Sequence, residues 1–145
     1  MAKESKNNFS ILTLILMFFI GLFLFSFGNK IVRPIDYHNI KVEVLNACGV
    51  DALARVTTDY LRSKGFDVIN YANAKEKQEK TVVIDRLSKE KEWAKIVSSN
   101  LGIDLTSTSI DSNMCVHVLI LLGKDYKEVL PEKVLKDRRL SGGHQ

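Results

Sequence analysis

Residues 9–28 contain no charged side chain, and Ile, Leu, Met and Phe fill most of the run from Ile11 to Phe25. A helix packed on a soluble domain keeps a polar face, and this stretch offers none at helical spacing. Twenty helical residues rise about 30 Å, the thickness of a bilayer's hydrocarbon core. The run therefore reads as a transmembrane helix over 9–28, with membrane lipid as its partner, behind a short N-terminal tail at 1–8. It is longer than the apolar region of a secretory signal, so it is expected to be retained rather than cleaved. Lys3 and Lys6 precede it, and Lys30, Arg33 and Lys41 follow it. Basic residues near the two ends thus leave the orientation undecided.

Charge narrows the partners of the remainder. The formal net charge is +4, and it arises in the flanks. Residues 1–37 and 127–145 each carry an excess of two basic side chains, whereas 38–126 holds twelve of each sign. A nucleic-acid-binding domain concentrates Lys and Arg where phosphates dock. The neutral middle argues against that class, and no nucleic-acid partner is expected.

Beyond a linker at 29–37, interrupted by Pro34, the hydrophobic period changes. Ile40, Val42 and Val44 alternate with Lys41 and Glu43, as in a half-buried strand. Asn46-Ala47-Cys48-Gly49 makes a tight connection, and Asp51 is placed to cap a helix carrying Leu53, Val56, Tyr60 and Leu61 on one face. Gly65 suits the end of that helix. Residues 66–71 read as a second strand, 72–80 as a polar loop, and 81–85 as a third strand. Ser88 is placed to begin a second helix, with Trp93, Ile96, Val97 and Leu101 as its buried stripe and Gly102 as its stop. Residues 106–113 are polar and fit either an edge strand or a loop. Residues 116–122 form the most apolar strand, expected at the sheet centre, and 127–145 reads as a polar basic tail that helps little with folding. The fold class expected is α+β: the N-terminal transmembrane helix, then one small two-layer β-α-β-β-α-β domain.

The stretch Val42-Glu43-Val44-Leu45-Asn46-Ala47-Cys48-Gly49-Val50 resembles the opening signature of the LytR C-terminal domain family, in which a strand runs into an Asn-small-x-Gly turn. The resemblance continues through Leu53-Ala54, Leu61, Gly65-Phe66-Asp67-Val68, Asn73-Ala74 and Thr81-Val82-Val83. It closes on Leu121-Leu122-Gly123-Lys124-Asp125-Tyr126, so that it covers 38–126. The larger LytR-type envelope proteins carry a catalytic phosphotransferase domain that this sequence does not contain. The resemblance implies a membrane anchor bearing only the accessory module, in the cytoplasmic (inner) membrane, single-pass, with the C-terminal domain extracytoplasmic. It also implies a role at the cell envelope, with peptidoglycan or an envelope protein as partner.

The side chains with chemical potential do not assemble into a catalytic pattern. His38, His117 and His144 share no ligand spacing, and the two cysteines are far apart in sequence, so neither a metal nor a cofactor is expected. Asp85, Asp104 and Asp111 give no carboxylate pair, Ser98-Ser99 has no nucleophile elbow, and Gly123-Lys124 lacks the glycines of a phosphate loop. If the sheet takes the order fourth–first–third–second, the last strand runs antiparallel to the first and brings Cys48 beside Cys115. Two readings of that pair stand: a disulfide in an oxidising compartment, or two reduced, small side chains.

The candidate binding segment is Asn46, Ala47, Cys48, Gly49 and Val50. Backbone amides ahead of a helix can hold an anion or a polar ligand atom. The same residues also suit a self-contained turn, with Asn46 bonding its own backbone and Gly49 at positive φ. A non-catalytic envelope accessory protein, binding or scaffolding at the wall, is the expected function. A peptidoglycan-binding module of the SPOR kind and an envelope enzyme with an unrecognised site are the alternatives.

Overall fold

The computed structural model describes residues 5–28, 36–111, 113 and 115–141, with side chains in the first segment described over 11–23. Linker residues 29–35, tail residues 1–4 and His144 lie outside the described residues. The chain divides into two units, Met1–Ile35 and Asp36–Gln145.

The described residues of the first unit form the helix α1 (Ser5–Gly28). Among the described residues, no helix is long and apolar enough to cross a membrane. The expected transmembrane helix at 9–28 and the single-pass inner-membrane placement with an extracytoplasmic domain are corrected on this finding.

The second unit is an α+β domain on a five-stranded sheet. Its strands are β1 (Lys41–Asn46), β2 (Asp67–Asn73), β3 (Val82–Asp85), β4 (Thr106–Thr108) and β5 (Val118–Leu122). Helix α2 (Leu53–Ser63) joins β1 to β2, and α3 (Glu92–Leu101) joins β3 to β4. Three single turns follow β5: α4 (Tyr126–Val129), α5 (Glu132–Leu135) and α6 (Arg138–Ser141).

The sheet order is β2-β1-β5-β3-β4. β1 runs parallel to both β2 and β5, while β3 is antiparallel to β5 and parallel to β4. The domain is thus two βαβ crossovers, β1-α2-β2 and β3-α3-β4, with β5 inserted between their first strands. This corrects the expected order and the antiparallel pairing of first and last strands. The cause is β4. The polar segment Thr106-Ser107-Thr108 completes the second crossover, as a strand–helix–parallel strand unit requires. The chain then returns to lay β5 in the middle, parallel to β1. Central placement of the most apolar strand follows the expectation: Val118, Ile120 and Leu122 are fully buried.

Val42 and Val44 of β1, Leu53 and Leu61 of α2, and Val97 and Leu101 of α3 complete the core between the sheet and its helices. The helix stops follow the glycines: Gly65 has φ +96° and Gly102 has φ +74°, a region that costs other residues strain. The helix starts differ from expectation. Ala52 and Lys91, both in the left-handed region, are the N-caps of α2 and α3, so neither Asp51 nor Ser88 performs that role. For α3 the capping acceptor comes from β3: the carboxylate of Asp85 accepts from the Ala94 amide at 3.0 Å.

The residues after Tyr126 do not stand apart as a solvated tail. Leu130 and Val134 are buried and belong to the core cluster, and Arg139 of α6 pairs with Asp59 of α2 at 2.6 Å. Their apolar spacing is short enough to escape a periodicity reading of four-residue helices. Val134→Ala is expected to lower stability by about 1–2 kcal/mol, for the loss of two buried carbons and the space they leave. A urea midpoint equal to that of the parent chain would show that Val134 is not core.

Candidate functional site

Parallel pairing of β1 with β5 brings the ends of both strands to one edge of the sheet, where Asn46 is paired with Leu122. Asn46 is buried and organises the turn that follows it. Its Oδ1 accepts from the amides of Cys48 and Gly49 and from the Cys48 thiol, each at 3.2 Å. Its Nδ2 donates to the Val50 carbonyl at 2.8 Å and to Asn73 Oδ1 at 3.3 Å. Gly49 sits at φ +80°. Two of the amides expected to meet an anion are therefore already occupied within the turn. Asn46→Ala leaves those amides and one carbonyl without their partner and is expected to cost about 2 kcal/mol. Asn46→Asp keeps the Oδ1 acceptor but sets a carboxylate oxygen against the Val50 carbonyl and Asn73 Oδ1, so a comparable loss is expected; parent-like thermal unfolding of either variant would contradict this assignment of roles.

The closing segment of the family resemblance locks the same edge. The Ala47 amide donates to the Leu122 carbonyl at 2.9 Å, and Ala74 and Gln78 donate to the carbonyls of Asn46 and Ala47 at 2.8 and 2.9 Å. Asp125 Oδ1 accepts from both the amide and the hydroxyl of Thr81 at 2.7 Å. The Thr81 Oγ1 in turn accepts from the Gly123 amide at 3.0 Å. Opening motif, closing motif and the loop at 74–80 thus form one hydrogen-bonded rim.

Beside this rim lies a depression of about 350 Å³ lined by Asn46, Ala52, Ala54, Arg55, Tyr71, Ala72 and Asn73. A second one, of about 380 Å³, is lined by Leu45, Leu121 and the residues of the 74–80 loop and shares Asn73. Of the expected segment, only Asn46 lines either of these depressions. Arg55 on α2 and Tyr71 and Asn73 on β2 are not among the site residues expected from sequence, because two elements distant in the chain bring them together. The one available signal was an aromatic in a strand otherwise poor in large apolar side chains.

Other sequence candidates remain dispersed. Cys48 and Cys115 are both free. Cys48 follows the C-terminal end of β1 and Cys115 precedes the N-terminal end of β5, which in a parallel pair are opposite edges. At about 3.3 Å per residue the two lie on the order of 20 Å apart, far beyond disulfide reach. The suggested bridge fails because the antiparallel pairing it required is absent. Trp93 packs partly on the core and lies 5.6 Å from the His117 ring. Asp85 is spent on structure, and no group of three His, Cys, Asp or Glu among the described residues could hold a metal.

At the opposite end of α2, hydrogen bonds from Arg139 hold the Asp137 carboxyl down at about 2. A lowered carboxylate pKa adds stability at pH values above the unfolded value, near 4, and loses it as pH falls toward 2. Seating of α6 is therefore expected to be constant from pH 7 to 5 and to weaken below pH 4. Protease susceptibility after Arg138 or Arg139 that does not vary between pH 7 and 3, measured with an acid-tolerant protease, would contradict this.

Residues 39–126 match the family model described as LytR cell envelope-related transcriptional attenuator, and the chain belongs to this LytR C-terminal domain family. No curated protein and no solved structure matches the chain. The family links the domain to a cell-envelope-related accessory function, and the domain it describes is an accessory rather than a catalytic one.

Proposed function

We propose that the chain is a non-catalytic accessory protein that binds cell-wall polymer, with the sheet edge carrying Asn46 and Gly123 as its contact region. The observation that carries the reading is the convergence of both family motifs on that edge, beside two open depressions. A rim tied together by backbone hydrogen bonds presents its side chains on a rigid support, the arrangement that suits binding of an extended polymer.

Co-sedimentation of the full chain with purified peptidoglycan tests the reading. Saturable recovery in the pellet, competed by soluble wall fragments, is the expected result. Recovery no greater than in a polymer-free control would end it.

A further inference from the structure

We infer that the depression beside the β1–α2 turn is a subsite for a carboxylate-bearing sugar ring, with Tyr71 as the stacking surface and Arg55 as the carboxylate partner. The inference rests on the wall-binding reading and names the chemistry of the unit taken: a muramic acid whose lactyl carboxylate is free, as on glycan stripped of its stem peptides. The volume of about 350 Å³ falls at the lower end of small-ligand sites. Three of the lining residues are alanines, so little side-chain bulk stands between a flat ring and the backbone.

Tyr71 lies on β2, the edge strand, and is 44% exposed. Among the described residues, no strand pairs with β2 beyond this edge. A half-exposed phenol ring offers an apolar face to the C–H side of a pyranose and a hydroxyl to its rim. Arg55 is exposed and forms no ion pair among the described residues. The acid one helical turn further on, Asp59, is engaged instead by Arg139 at 2.6 Å. The guanidinium therefore keeps its charge and its planar fork for a bidentate carboxylate. Asn73 uses its Oδ1 to accept from Asn46 Nδ2 at 3.3 Å, which leaves its own NH2 as a donor for a ligand oxygen. No acidic side chain lines this depression.

Calorimetric titration of the full chain with N-acetylglucosaminyl-N-acetylmuramic acid, and with neutral chitobiose, tests the assignment. The acidic disaccharide is expected to bind about tenfold more tightly at low salt. Arg55→Gln is expected to abolish that preference and Arg55→Lys to restore part of it. Tyr71→Ala is expected to weaken both sugars about five- to tenfold. Equal affinity of the parent chain for the two sugars, no binding of either, or parent-like affinity in both Arg55→Gln and Tyr71→Ala overturns the subsite. Both positions are exposed, and thermal melts matching the parent chain confirm that the variants are folded. A parent chain that sediments with peptidoglycan yet discriminates neither sugar leaves the broader reading standing. One that does not sediment overturns that reading itself.

Discussion

Asp85→Ala is expected to lower the unfolding free energy by about 3–5 kcal/mol, enough to consume much of the stability of a domain this size. Asp85 is fully buried at the end of β3. Its Oδ1 accepts from the amides of Leu87 and Ser88 at 3.0 and 2.7 Å, and its Oδ2 accepts from Ala94 at 3.0 Å. Alanine removes both acceptor oxygens and leaves the Leu87 and Ser88 amides of the β3–α3 connection, and the Ala94 amide in the first turn of α3, without these partners, where the helix has no side-chain cap of its own. Asp85→Asn keeps one oxygen but sets an NH2 group against a donor, so it is expected to lose about half as much. Urea denaturation followed by circular dichroism reads both. A loss below about 1 kcal/mol for the alanine variant would mean that the β3–α3 junction is held by something else.

Gly123→Ala is expected to cost about 3–4 kcal/mol, at the severe end of overpacking because the obstruction is backbone. A Cβ at this position would lie 2.3 Å from the Lys80 carbonyl carbon and 2.6 Å from the Thr81 nitrogen. Neither can rotate away as a side chain could. Relief requires β5 to separate from the 80–81 backbone, which also breaks the bonds joining Thr81 to Asp125 and Gly123. Thr81→Val provides the comparison, because it removes the hydroxyl while leaving the close approach intact. It is expected to be milder, at about 1–2 kcal/mol. A Gly123→Ala chain as stable as the parent, by thermal unfolding, would contradict the described packing of the rim.

The elements that announce themselves by period were legible from the residues. β1 alternates as expected, with Val42 and Val44 fully buried, and the apolar stripes of α2 and α3 supply Leu53, Leu61, Val97 and Leu101 to the core. The Asn-small-x-Gly turn was also readable, because Asn bonding to its own backbone and Gly at positive φ are local properties. Topology was not. It hinged on β4, three polar residues whose pairing with β3 is determined by the crossover through α3. With that strand uncounted, β5 was assigned the wrong neighbours and direction, and the suggested cysteine bridge followed from the error. The helix caps were hidden for a related reason: the acceptor for α3 comes from a strand residue nine positions before Ala94. The C-terminal turns escaped because Val129-Leu130 and Val134-Leu135 are isolated apolar pairs in short segments, and only tertiary packing makes Leu130 and Val134 core.

The candidate site divides in the same way. Asn46 and the residues after it were found because a contiguous motif carries them, and their own hydrogen bonds account for much of that motif as structure. Arg55, Tyr71 and Asn73 are brought together only by folding, through the helix and the edge strand that flank the turn.

Hydrogen–deuterium exchange of the full chain, with and without soluble peptidoglycan fragments, tests the central claim that wall polymer binds at this sheet edge. Slower exchange is predicted in peptides covering 46–55 and 71–78, with the α3 segment unchanged. Unaltered exchange at saturating fragment, or protection confined to peptides away from that edge, would contradict the account.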